Sequence, residues 1–137
     1  MSDMEERIAV QDVMLRYAAG VDDRDLELYR SCFADDVLIV GFDKEDHVGG
    51  DNWTAIVKEK LKPFGATQHM LAPQLATING NKASARTDVQ ALHYMADKPD
   101  TTLTLWATYK TELEKIDGEW KITRHELVPR GTRVQSD

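Results

Sequence analysis

Cysteine is nearly absent. Cys32 is the only one in 137 residues, so no internal disulfide can form. A lone thiol suits the reducing cytoplasm, which is the expected location. Long apolar runs are missing too: none approaches the roughly 20 residues that span a bilayer. The opening "MSDMEER" is acidic and lacks the basic and apolar regions of a signal peptide. Basic charge is in short supply. Seventeen Lys and Arg face 24 Asp and Glu, for a net charge of −7. An acidic surface repels phosphate backbones, so neither nucleic acid nor a membrane is an expected partner. There is no Gly-rich phosphate loop and no serine nucleophile elbow. His47, His69, His93 and His125 are scattered without metal-ligand spacing, and no metal or cofactor is expected.

What remains is ordinary for a globular chain, with 42% hydrophobic and 30% charged residues. A chain of this length buries roughly 68–70% of its unfolded surface. That suits one domain over 1–137, with enough core to hollow part of it out.

Helical signals fill the first half. Ser2 and Glu5 stand at capping-box spacing, Ile8, Val13, Met14, Tyr17 and Ala18 follow helical spacing, and Gly20 is a natural stop. "DDRDLELYRSCF" reads as a second helix capped by Asp22 or Asp23, with Leu26, Tyr29, Cys32 and Phe33 inward. Cys32 then belongs to the core. "VLIV" is a buried strand and "EDHVGG" another short one. "DNWTAIVKEKLKPF" is a third helix capped by Asp51 and ended by Pro63, with Trp53 a core anchor.

From Ala66 the period becomes two. "TQHMLAPQLATI" leads to the hairpin signal "NGN". The next strand puts Ala83, Ala85, Thr87, Val89, Ala91 and His93 on one face. "TTLTLWATYKTELEKI" alternates Leu103, Leu105, Ala107 and Tyr109 against Thr104, Trp106 and Thr108. In "EWKITRHELVPRG", Trp120 and Ile122 inward would bring Arg124 the same way and turn His125 out. Helices followed by a four-strand antiparallel meander give an α+β fold, with the helices on one face of a curved sheet. The small residues of the second long strand leave room there for a pocket.

Two features invite a chemical reading. His69 shares the inward face with Leu71. It is either a hydrogen-bonded core histidine or, with a carboxylate behind it, a general base. Asp22 and Asp23 are adjacent at a helix junction, where one cap would suffice.

Taken in order, "RYAAGVDDRD", "LYRSCFADDV", a helix, "TQHML" and a meander ending "GEWKITRH" resemble the SnoaL-like branch of the NTF2-like superfamily. The resemblance covers nearly the whole chain. It implies an α+β cone, a curved sheet wrapped by three helices around a pocket. Family members include polyketide cyclases, scytalone dehydratase and a hexachlorocyclohexane dehydrochlorinase, alongside non-catalytic subunits and binding domains. In the dehydratase- and dehydrochlorinase-like members an Asp after the first helix pairs with a His at the start of the first long strand. Those positions are Asp22 and His69 here. Tyr17 stands where the dehydrochlorinase has a basic residue, and suits a hydrogen bond to a substrate oxygen. Arg124 falls at or beside the family's last-strand arginine.

The resemblance implies a cofactor-independent lyase or isomerase with catalytic residues Asp22, His69, Tyr17 and Arg124. His93, Leu71, Val89 and Leu105 would line a pocket for a small apolar, cyclic substrate. The alternatives are a non-catalytic small-ligand-binding module and an assembly subunit. Trp106 on the outward face is either a subunit contact or a residue covered by its own chain. Family members are commonly dimers or trimers, so a homo-oligomer is expected.

Overall fold

The computed structural model describes residues 2–137. Helix α1 spans Asp3–Asp22, α2 Leu26–Ser31 and α3 Gly50–Leu61. The strands are β1 (Phe33–Val40), β2 (His47–Val48), β3 (Phe64–Leu71), β4 (Leu75–Asn79), β5 (Lys82–Met95), β6 (Thr101–Ile116) and β7 (Glu119–Ser136). The architecture is α+β, as the order of helical and alternating patterns predicts. Among the described residues, no helix is long and apolar enough to cross a membrane.

Helix α1 starts on the predicted capping box. The Ser2 hydroxyl accepts from the Glu5 N–H, and the Glu5 carboxylate accepts from the Ser2 N–H. Its buried stripe is Val10, Val13, Met14, Tyr17, Ala18 and Val21, while Ile8 is exposed. Gly20 does not end the helix. It lies within it, where α2 crosses so closely that a Cβ would stand 2.8 Å from the Tyr29 nitrogen. That approach puts the Tyr29 and Tyr17 ring centroids 4.9 Å apart. The helix runs on to Asp22, and α2 is capped by neither Asp22 nor Asp23. Asp25 accepts from the Leu28 N–H instead. Helix α3 is entered through Gly49 rather than capped by Asp51, whose carboxylate takes a hydrogen bond from Arg30 at 2.7 Å.

The strands form one open, curved sheet in the order β2-β1-β7-β6-β5-β3, with β4 also pairing β5. The predicted meander is its centre. Its first strand is broken into β3 and β4 because the chain leaves the ladder at Ala72–Gln74, around Pro73. Strand β1 adds to β7 in parallel, with Ile39 opposite His125. The alternation on β5 is as expected: Ala83, Ala85, Thr87, Val89 and Ala91 are buried, and Ser84, Arg86, Asp88 and Gln90 are exposed.

Strand β7 departs from simple alternation. Leu113 pairs Ile122 but Glu112 pairs Arg124, so Thr123 is an extra residue. Such a bulge bends the strand and exchanges inside for outside beyond it. Trp120 and Ile122 face the core before the bulge, and His125 and Leu127 face it afterwards.

Candidate active site

Asp22 is the last residue of α1, and β3 crosses beside it. Its Oδ1 lies 2.8 Å from His69 Nδ1, and its Oδ2 accepts the backbone N–H of the same His69 at 2.7 Å. Thr67, one inward position earlier on β3, donates its hydroxyl to Asp22 Oδ1 at 3.0 Å. Arg24 in turn donates to the Thr67 hydroxyl at 2.9 Å. A carboxylate at a helix C-terminus faces the negative end of the macrodipole, so capping does not explain it. Burial raises the Asp22 carboxyl, but the His69 ring, the His69 N–H and Thr67 outweigh it. The net shift is below the ordinary value, and the group stays ionised. Asp23 is exposed and takes no part.

A carboxylate on Nδ1 makes that nitrogen the donor and leaves Nε2 with its lone pair. The His69 ring lines a cavity of about 190 Å³ between the helices and the sheet. A dry cavity of about 150 Å³ holds benzene, so this one suits a ligand of one or two small rings. His93 lines it as well, its ring 5.9 Å from that of His69. The His93 Nδ1 donates to the Leu103 carbonyl at 3.1 Å. Burial lowers the His93 basicity, so it is a neutral imidazole whose Nε2 can accept.

Leu105 also lines the cavity, but Leu71 and Val89 do not. They pair with each other on the inward face, one step beyond the His69–Ala91 row and farther from His93. Two residues of strand, about 6.6 Å, carry them past the end of the hollow. Val89 is core, and Leu71 borders a separate hollow with Met14 and Gln74.

The opposite wall differs most from the sequence expectation. Arg124 does not reach the cavity. It lies on the outer face, its side chain 37% exposed and paired with Glu126 at 3.2 Å. The Thr123 bulge is the cause, and it brings His125 inward instead. His125 is fully buried, with Nε2 3.1 Å from the Tyr17 hydroxyl and Nδ1 3.0 Å from the Thr111 hydroxyl. Burial pushes its pKa down to about 3, so it is neutral. Tyr17, Tyr29 and Tyr109 all line the cavity, and burial raises all three phenols above their ordinary value. Trp53 donates from Nε1 to the Tyr29 hydroxyl at 2.9 Å.

The sequence reading treated Tyr29, Trp53 and Tyr109 as core, and their place at the cavity was missed. For His125 a signal existed. Counting back by twos from Leu127 puts it inward, in conflict with the count from Trp120, and that conflict marks a bulge.

The mouth is formed partly by the β1–β2 loop. Gly41 takes φ +85° where the loop passes against the Leu127 carbonyl, and Phe42 then packs on Trp53 at 4.9 Å between centroids. His47 Nε2 bonds Asp43 at 2.9 Å, and Lys60 reaches the same carboxylate at 3.2 Å. Among the described residues, no three His, Cys, Asp or Glu side chains converge as a metal-binding set.

A model of the SnoaL-like domain matches residues 2–126. No curated protein matches the chain. Solved structures match its fold along almost its whole length. A protein assigned as a scytalone dehydratase, from Novosphingobium aromaticivorans, superposes with a TM-score of 0.87 at 22% identity, covering 98% of this chain and 92% of that one. A protein assigned as an aromatic ring hydroxylase, from the same organism, gives 0.86 at 23%, covering 100% and 96%. The hexachlorocyclohexane dehydrochlorinase LinA-type3 of Novosphingobium barchaimii gives 0.85 at 19%, covering 96% and 91%.

Proposed function

The chain belongs to the SnoaL-like domain family, within the NTF2-like superfamily, and on that premise we propose that it is a lyase or isomerase using His69 as general base. The observation that carries this reading is the double grip of Asp22 on His69, through ring and backbone, at the wall of an apolar cavity. The substrate is small, apolar and cyclic, with an acidic C–H.

His69 Nε2 takes the proton, and the C–H electron pair moves toward a neighbouring carbon or carbonyl. Ionised Asp22 stabilises the imidazolium as it forms, and the low polarity around it strengthens that attraction. Tyr17 hydrogen-bonds the substrate oxygen as charge develops on it. The imidazolium then returns its proton to a leaving hydroxyl, which departs as water, or to another carbon, which completes an isomerisation. Arg124 has no part in this scheme. The dehydratase and dehydrochlorinase assignments of the structural neighbours support this reaction class.

The test is hydrogen exchange. Candidate cyclic ketones and hydroxyketones are incubated with the protein in D2O, and loss of the acidic C–H signal is followed by proton NMR. His69→Ala should abolish the exchange, and Asp22→Asn should cut it by about a hundredfold or more. Tight binding with no exchange for any ligand would support the non-catalytic binding role instead.

A homo-oligomer is also proposed. Trp106 is 37% and Met70 60% exposed, and they flank one hollow on the outer sheet face. Sedimentation of the wild type and Trp106→Ser tests this. A monomeric wild type refutes it.

A further inference from the structure

Helix α1 closes in a turn where glycine is the usual residue, and Arg24 stands there instead. The Asp25 N–H donates to the Gly20 carbonyl at 2.8 Å, and the Arg24 N–H to the Val21 carbonyl at 3.2 Å. These two bonds are the Schellman closure of a helix, whose middle residue is left-handed. Arg24 accordingly has a φ of 56°. A side-chain-bearing residue is strained in that conformation and glycine is not, so the turn alone gives no reason for an arginine.

The side chain supplies one. The guanidinium reaches from the end of α1 to the start of β3. Its Nη1 donates to the Val21 carbonyl at 2.8 Å and to the Thr67 hydroxyl at 2.9 Å, and its Nη2 donates to the Gly65 carbonyl. Arginine can only donate, so the Thr67 oxygen is the acceptor in their bond. Thr67 has a single hydroxyl hydrogen, and Asp22 Oδ1 lies 3.0 Å away to receive it. The Val21 and Gly65 carbonyls do not compete for that hydrogen, because the guanidinium already serves both. The donors therefore run one way, from Arg24 to Thr67 to Asp22, and meet the two His69 donors on the same carboxylate. A charged donor polarises the hydroxyl it bonds, which strengthens the next bond in the chain. The other charged and titratable groups around Asp22 stand outside this chain. Asp23 is exposed, Asp25 caps α2, and burial holds His93 and Tyr109 neutral.

We propose that Arg24 is a positioning residue for the Asp22–His69 pair: it fixes the Thr67 hydroxyl as a donor to Asp22 and so orients the carboxylate that grips His69. Without the guanidinium the Thr67 hydroxyl is free to turn away, and Asp22 keeps only its two bonds from His69. Arg24 acts through Thr67 and is not among the residues that line the cavity. Its bearing on turnover rests on His69 as base, but its hold on the carboxylate is measurable without any substrate.

Arg24→Gly gives the test, because glycine suits the left-handed turn and removes only the side chain. The Asp22 carboxyl is titrated by carbon-13 NMR, with urea denaturation alongside. Its midpoint should rise by about half a pH unit or more, since the ionised form loses a fixed donor. The same substitution made in Thr67→Val should raise it by less than about half as much, since the bond through which Arg24 acts is already gone. Arg24→Met keeps the stem without the donors, and takes the place of the glycine variant if that one folds poorly. For a cyclic ketone that exchanges in the wild type, C–H exchange should be about tenfold slower in the variant. Lower stability with an unmoved Asp22 midpoint would make Arg24 a helix cap only. An equal rise in both backgrounds would mean that it does not act through Thr67. Exchange within about twofold of wild type would mean that the pair works without it. Each of these three results overturns the inference. If no ketone exchanges in the wild type but the midpoint moves as stated, Arg24 positions the carboxylate and His69 is not the base.

Discussion

The Asp22 carboxylate holds His69 twice, with Oδ1 2.8 Å from the ring Nδ1 and Oδ2 2.7 Å from the backbone nitrogen. The two residues are 47 positions apart, so one side chain fixes both the end of α1 against β3 and the orientation of the imidazole. A ring with only one such anchor could rotate about its side-chain bonds. Here the backbone bond sets the strand position, and the ring bond then selects the tautomer. Asp22→Asn keeps the shape and removes the charge. It should cut C–H exchange by about 10²–10⁴-fold, the range for a positioned base. Exchange within threefold of wild type would show that the carboxylate is structural only.

Thr67 supports that carboxylate from behind. Thr67→Val removes the hydrogen bond to Asp22 Oδ1 and leaves Arg24 without its hydroxyl acceptor. Loss of a donor to the ionised form raises a carboxyl pKa. The wild-type group lies below its ordinary value, so any stability it contributes is present above the unfolded value, about 3.9, and is lost as pH falls through the lower folded value. In Thr67→Val that loss should begin at higher pH. Carboxyl carbon-13 NMR of Asp22 gives the titration directly. An unmoved midpoint would show that Thr67 does not tune the carboxylate.

Arg124 and His125 exchange the places expected of them, and a matched pair of variants separates the two. Arg124→Ala removes an outward ion pair and should leave C–H exchange within about twofold and stability within about 0.5 kcal/mol. Thr111→Val breaks the buried chain behind Tyr17 and should lower exchange more than Arg124→Ala does. The opposite order would restore the arginine to the site.

The same residues show how far a sequence can be read. The capping box at Ser2, the periodicity of α1 and the alternation of β5 are local, and each follows from spacing over a few residues. The Asp22–His69 pair is not local. Spacing marked a helix junction and an inward histidine, and the family order connected them. The Thr123 bulge defeated parity because a single unpaired residue leaves no composition signal, and everything beyond it changes face. Gly20 misled for a related reason. Glycine ends many helices, but here it serves the close crossing of α2, which depends on packing rather than on neighbours in sequence.

Gly20 therefore gives a sharp stability test. Alanine is the better helix former by about 1 kcal/mol, so propensity alone predicts stabilisation. A Cβ would stand 2.8 Å from the Tyr29 nitrogen and 3.0 Å from its Cα, and backbone cannot yield as a flexible side chain does. The clash should win, with Gly20→Ala losing about 1–3 kcal/mol in urea denaturation. A stabilised variant would mean that α2 can slide without cost.

His125 makes a distinct contribution to pH dependence. In the folded chain burial holds it neutral down to about pH 3, whereas the unfolded side chain takes a proton near 6.5. Between those values the unfolded state binds one more proton than the folded state. Unfolding free energy must therefore fall as pH falls, by about 1.4 kcal/mol per pH unit at full difference. His93 is also lowered by burial, so the wild-type slope contains both. His125→Gln isolates one, since glutamine can donate and accept but does not titrate. Urea denaturation at pH 7.0, 6.0 and 5.0 should give a shallower slope for the variant, the difference approaching one proton at the lowest pH. This window lies above the ordinary carboxyl range, so Asp22 and the other acids contribute little to the difference. Equal slopes would mean that His125 is protonated in the folded chain, with Nε2 and Nδ1 both donors.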